Sequence, residues 1–218
     1  MLPHIKICCI STVEEAQQAV RHGAAALGLV SHMPSGPGVI PDDLIAEIAK
    51  TVPPPVATFL LTARQDADSI AEQLSVCGTS TLQLVDSVAP AELQRLRRKV
   101  PNVKIVQVIH VRGEDSLEEA KSLEGFVDAL LLDSGNPTLD VKELGGTGRI
   151  HNWDESRRIC SEVRVPVFLA GGLCAANVAQ AIEHVQPFGL DLCSSVRTGG
   201  QLDVKKLSEF MRAVRGVA

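Results

Sequence analysis

Residues 5–23 read IKICCISTVEEAQQAVRHG, and this stretch holds one strand-to-helix unit. Ile5–Ile10 is a short apolar run rich in β-branched residues, the pattern of a parallel strand covered on both faces. Thr12, with Glu15 three residues on, forms a capping-box signal that starts a helix just past the strand. The helix runs to His22, and Gly23 supplies its cap.

Working outward, the same alternation of apolar run and helical periodicity recurs along the chain. Further strands are expected at Ala25–Val30, Pro55–Leu61, Thr81–Leu84, Val103–Val111, Ala129–Leu132, Val165–Ala170 and Gly189–Cys193. Eight units spaced by roughly 25–30 residues predict a single (β/α)8 TIM barrel of α/β class, with residues 1–218 as one domain. An open doubly wound sheet is the rival architecture, but it usually uses fewer strands. Pro and Gly fall between the units. The stretches 31–40 and 133–152 exceed ordinary βα loop length, which marks them as functional loops.

The composition is that of a chain able to bury a full core: 218 residues, 45% hydrophobic and 22% charged. A net charge of −5, with scattered rather than clustered Lys and Arg, argues against nucleic acid as a partner. No apolar run approaches the roughly 20 residues of a membrane helix. The N-terminal MLPHIKICC has neither a cationic-then-apolar leader pattern nor a cleavage site, so a cytoplasmic, membrane-free protein is expected. The six cysteines show no CxxC pair and no metal-ligand spacing with histidine. They read as thiols in a reducing compartment, mostly buried as small hydrophobes.

In a barrel the C-terminal ends of the strands face one mouth, and the polar residues expected there are few. Cys8 and Cys9 end strand one, Gln83 lies on strand four, His110 ends strand five, and Asp133 with Ser134 ends strand six. Gly171–Gly172 follow strand seven and Ser194–Ser195 follow strand eight, the position of this fold's recurrent phosphate site. The glycine pair also reads as a plain turn and the serines as a helix cap; two such turns on adjacent strands favour phosphate. A thiolate at Cys8 and a protonated carboxyl at Asp133 would form a base and acid pair across the mouth. Inert packing for Cys8 and a loop cap for Asp133 stand beside that reading.

The motifs resemble those of the phosphoribosylanthranilate isomerase family. They are Lys6-Ile7-Cys8, Glu14-Glu15-Ala16, Leu131-Leu132-Asp133, Gly145-Gly146-Thr147-Gly148 with Trp153, Leu169-Ala170-Gly171-Gly172-Leu173 with Asn177-Val178, and Asp191 before Ser194, in the same order over nearly the whole chain. The resemblance implies a cofactor-free, metal-free isomerase of tryptophan biosynthesis. Its reaction is an Amadori rearrangement of an N-linked phosphoribosylamine to a 1-amino-1-deoxyribulose phosphate. It also implies Cys8 as the general base at sugar C2 and Asp133 as the general acid on the ring oxygen. Gly171, Gly172, Ser194 and Ser195 would bind the phosphate of a small sugar-amine substrate. The assembly expected is a monomer or a homodimer.

The chain departs from the family pattern at defined places. Pro37 stands where an arginine is expected to hold the anthranilate carboxylate, Cys9 where a glycine follows the catalytic cysteine, and Cys193-Ser194-Ser195-Val196-Arg197 where Ser-Ser-Gly-Val-Glu is usual. Strand four reads Gln83-Leu84-Val85-Asp86 for Gln-Leu-His-Gly, and His151-Asn152-Trp153 replaces Phe-Asp-Trp. Gly146, Thr147, Gly148 and Arg197 are therefore expected at the substrate loop, with Arg197, Arg149 or His151 as substitute cations. Ser195 would be strained if its turn needs positive φ. A diverged isomerase of another phosphosugar amine, and a non-catalytic phosphate-ligand binder, are the alternative functions.

Overall fold

The computed structural model describes residues 2–146 and 148–217. Eight parallel strands close into a barrel: β1 (His4–Ile7), β2 (Ala26–Val30), β3 (Ala57–Thr62), β4 (Thr81–Leu84), β5 (Lys104–His110), β6 (Ala129–Asp133), β7 (Val167–Leu169) and β8 (Gly189–Leu192). Each is followed by a helix: α1 (Val13–Arg21), α2 (Asp42–Thr51), α3 (Ala67–Cys77), α4 (Pro90–Lys99), α5 (Asp115–Leu123), α6 (Trp153–Glu162), α7 (Val178–Val185) and α8 (Val204–Arg215). A 3-10 turn at Ser194–Val196 and a two-stranded hairpin (Arg197–Thr198 with Gln201–Leu202) lie between β8 and α8.

The alternation of side chains along each strand sorts the core into two shells. Ile5, Ile7, Leu27, Leu29, Leu130, Leu132, Leu190 and Leu192 face outward and pack under the helices. Ala26, Val30, Phe59, Leu61, Leu131 and Phe168 face inward and fill the barrel. By the same alternation Lys6 and Cys8 on the first strand, Asp133 at the end of β6 and Asp191 on β8 turn toward the interior. Barrel closure through the β1–β8 pair sets Lys6 directly opposite Asp191, 185 residues away in sequence.

All eight expected strands are present, seven of them with shifted ends. The first stops at Ile7 rather than Ile10, because Cys9 takes φ 62° and turns the chain out of the sheet. The third begins at Ala57 rather than Pro55, because Val56 N–H closes a turn onto Pro53 O (3.0 Å). Helix α1 starts as expected: Thr12 Oγ1 accepts from Glu15 N–H at 3.1 Å. The Glu15 carboxylate, however, accepts from Ser11 N–H at 2.9 Å and turns its other oxygen toward the C-terminal hairpin, so only half of the capping box forms.

No helix among the described residues is long and apolar enough to cross a membrane.

Candidate active site

At the C-terminal end of the barrel a cavity of about 670 Å³, counting its open mouth, is walled by the strand ends and by the two long loops. It brings together Cys8, Asp133, Gly171, Gly172, Ser194 and Ser195, with Gln83, Gly146 and Gly148 around them. Thr147 lies outside the described residues.

Cys8 is the best-defined group. Its N–H donates to Leu192 O at 2.7 Å, which carries the β1–β8 ladder one residue past the end of the first strand. Beneath it, Lys6 is fully buried, with Nζ 2.8 Å from Asp191 Oδ1 and 5.4 Å from the centre of the Phe59 ring. Gly28 makes room for this packing: a Cβ there would sit 2.8 Å from Cys8 Sγ and 2.9 Å from Lys6 Nζ. The Cys8 thiol is pulled below its ordinary range by a hydrogen bond from Cys9; burial opposes this and the Lys6 ammonium supports it. Burial works against the charge on Lys6, but Asp191 together with Cys8 and Cys9 outweighs it, and the ammonium is held above its usual range. Burial raises the Asp191 carboxyl, and Lys6 resists that rise. The outcome is a cation lodged under a cysteine.

Asp133 closes β6 on the other side of the cavity. Its Oδ1 accepts from Ser134 N–H at 2.7 Å, fixing the carboxylate rotamer, and Gly145 of the long loop approaches Oδ2 so closely that a Cβ would stand 2.9 Å from it. The β6α6 loop thus packs on the acid. It is tied in turn to the β2α2 loop by Ser35 Oγ donating to Lys142 O (2.5 Å), and to the end of β4 by a Lys142–Asp86 ion pair (2.5 Å).

Gly171 and Gly172 adopt φ of 79° and 64°, where a side chain is strained. Segment Arg149–His151 also crosses them closely; a Cβ on Gly172 would meet Ile150 Cγ1 at 2.7 Å. Asn177 orders the turn, donating from Nδ2 to Gly172 O (3.0 Å) and accepting from Cys174 N–H (2.8 Å). Ser195 lies in the 3-10 turn outside the left-handed region, so the expected strain is absent. Its Oγ is buried on the cavity wall with no hydrogen-bond partner among the described residues, a donor left for a ligand.

Arg197 corrects the sequence reading. It is buried, with its guanidinium on Glu15 Oε1 (3.1 Å), Gly200 O (2.9 Å) and Cys8 O (3.1 Å), and it also donates to Cys9 O. Those bonds face it away from the cavity, so it braces the backbone of the base rather than meeting substrate. The other two candidate cations are placed elsewhere as well. Arg149 pairs with Glu143, and His151 sits against Ser156 Oγ (2.7 Å) with its pKa lowered by burial. No described residue lining the cavity is a lysine, arginine or histidine. His110 is set aside too, with Nε2 on Val85 O (3.0 Å) and its ring packed against Gly135. Asp191 lines the cavity without having been assigned a role from sequence; the inward alternation between Leu190 and Leu192 was the available signal.

Residues 5–213 match the family model of N-(5'phosphoribosyl)anthranilate (PRA) isomerase. The chain is 33% identical over 215 residues to the N-(5'-phosphoribosyl)anthranilate isomerase of Methanocella arvoryzae, covering 98% of this chain and 99% of that one. The phosphoribosyl anthranilate isomerase structure from Thermotoga maritima superposes with a TM-score of 0.84 at 25% identity, over 99% of this chain and 100% of that one. A further isomerase structure, solved with reduced 1-(o-carboxyphenylamino)-1-deoxyribulose 5-phosphate, has the same fold (TM-score 0.82, 23% identity, 99% and 100% coverage).

Proposed function

The chain belongs to the N-(5'-phosphoribosyl)anthranilate isomerase family, and from that premise we propose that Cys8 and Asp133 perform the isomerisation in its barrel mouth. The activity is the cofactor-independent aldose-to-ketose isomerisation of tryptophan biosynthesis. The reading takes the protein to be cytoplasmic and to work as a monomer or a homodimer.

The observation that carries the reading is the convergence of a cysteine seated over a buried lysine and a carboxyl group on one cavity, beside the Gly171–Gly172 and Ser194–Ser195 turns. Asp133 gives a proton to the ring oxygen as the C1–O bond breaks, opening the sugar to a Schiff base. Cys8, as thiolate, takes the C2 proton, and the electron pair left behind moves toward the iminium nitrogen to form an enolamine. Tautomerisation to the ketose finishes the sequence, and no redox partner enters the balance. Positioned acid and base catalysis of this type contributes about 10²–10⁴-fold for each group.

Lys6 acts through Cys8 as a positioning residue: it is sealed beneath the thiol and favours the thiolate. The positive φ of Gly171 and Gly172, together with the Ser194 and Ser195 hydroxyls on the same cavity, supports phosphate binding. Gly146 and Gly148 supply loop backbone beside the substrate.

A second reading rests on the absence of cationic side chains from the described cavity wall, including Pro37 where the family places an arginine. It is an isomerase whose preferred amine lacks the carboxylate. Competition between phosphoribosylanthranilate and its aniline counterpart separates the two: the first reading predicts higher kcat/KM for the anthranilate, the second the reverse.

A further inference from the structure

Two of the departures from the family pattern meet in space. Cys9 and Cys193, 184 residues apart, lie across the β1–β8 seam with their sulfurs 2.7 Å from each other, and both line the cavity. Cys9 is held at φ 62°, a conformation that favours glycine, with Gly38 pressed so closely on it that a Cβ there would stand 2.5 Å from the Cys9 Cβ. A cysteine at such a strained backbone position points to a use for its sulfur. Arg197 donates to Cys9 O from below, and Cys9 Sγ lies 3.5 Å from Pro37 O, so the thiol is fixed in place. Cys193 is partly exposed, whereas Cys9 is buried.

We propose that Cys9 and Cys193 are an oxidative modification site, a dithiol that closes to a reversible disulfide when the protein meets a small peroxide. Closure to a bond of about 2.05 Å asks the sulfurs to approach by less than roughly 0.7 Å. Cys193 releases its proton to water and its sulfur attacks a peroxide oxygen; the O–O bond breaks, hydroxide leaves, and Cys193 becomes a sulfenic acid. The Cys9 sulfur then attacks the Cys193 sulfur as the S–O bond breaks. The departing hydroxyl leaves as water with the Cys9 proton. Two thiols are oxidised and one hydrogen peroxide is reduced to two waters.

The bond affects the mouth in two ways. The Cys9 S–H, next in the chain to the base, is consumed when the bond forms, so it is no longer a donor beside the Cys8 thiolate. Cys193 directly precedes Ser194 and Ser195, so the cross-link also pins the turn read as the phosphate site. This effect on turnover rests on the assignment of Cys8 as base; formation of the bond does not.

The test is peptide mapping of the full chain, without reduction, after titration with hydrogen peroxide, alongside turnover of phosphoribosylanthranilate before and after dithiothreitol. The expected result is a Cys9–Cys193 link with Cys8 still open to alkylation. Turnover should fall about tenfold, the scale of one lost hydrogen bond to a charged group, and return on reduction. Cys193→Ser should form no link and keep its own turnover ratio at the same dose. A Cys8–Cys9 link, sulfinic acid at Cys9 or Cys193 without a link, or unmodified thiols would overturn the site. A link that leaves turnover unchanged would overturn its control of activity. The mapping decides the chemistry even for a chain that fails to turn over the substrate.

Discussion

Replacing Lys6 with Met should raise the pKa of Cys8 while leaving every cavity-lining side chain in place. Lys6 Nζ and Cys8 Sγ both lie within 2.9 Å of the point where a Cβ on Gly28 would sit, so they are less than about 6 Å apart. At roughly 6 Å and an effective dielectric near 20, the attraction between ammonium and thiolate is about 2.8 kcal/mol. The thiolate fraction at neutral pH, and kcat/KM with it, should fall by up to about a hundredfold and recover as pH is raised. The assay is the pH dependence of Cys8 alkylation by iodoacetamide, resolved from the other five cysteines by peptide mass. Because the substitution also strands Asp191 as a buried, unpaired carboxylate, a cost of about 3–5 kcal/mol, the same titration belongs in Lys6→Met/Asp191→Asn. An alkylation midpoint for Cys8 that matches the wild type in both proteins would refute the proposed coupling.

Three further outcomes are expected. Glu15→Gln leaves Arg197 buried without its carboxylate and should destabilise the fold by about 3–5 kcal/mol, read as a loss of roughly 10 °C in Tm by calorimetry. Burial opposes the Glu15 charge, but hydrogen bonds from Leu202 N–H, Ser11 N–H and Arg197 hold its pKa below 4.5. The wild type should therefore keep this stability above that pH and lose it as pH falls through the lowered pKa, while the variant shows no such loss. Ser195→Ala removes a buried hydroxyl that has no partner among the described residues and should raise KM roughly tenfold with little change in kcat; equal KM values would show that the hydroxyl does not meet the ligand. Gly172→Ala, forced to φ 64° and into Ile150, should lower Tm and weaken inorganic phosphate binding in a competition assay.

Much of this was legible in the sequence because it is local. Apolar periodicity placed all eight strands, and the rule that strand ends share one mouth grouped Cys8, Asp133, Gly171, Gly172, Ser194 and Ser195, which the structure gathers on one cavity. The ends of the first and third strands were misjudged where one backbone angle at Cys9, or one turn at Pro53, decides the boundary. Arg197 was misplaced for a different reason. An arginine three residues past a serine turn reads as a ligand clamp until the barrel closes and brings Glu15 and the Cys8 and Cys9 carbonyls to it from 182 to 189 residues away. The Lys6–Asp191 pair and the Cys9–Cys193 contact also exist only through the β1–β8 register, which no local pattern encodes.

The most direct test of the account is turnover of freshly formed phosphoribosylanthranilate, followed by loss of substrate fluorescence, in the wild type beside Cys8→Ala and Asp133→Asn. The account predicts wild-type turnover and a loss of about 10²–10⁴-fold in each variant with substrate binding retained. An active wild type whose activity survives either substitution would contradict the assignment of base and acid.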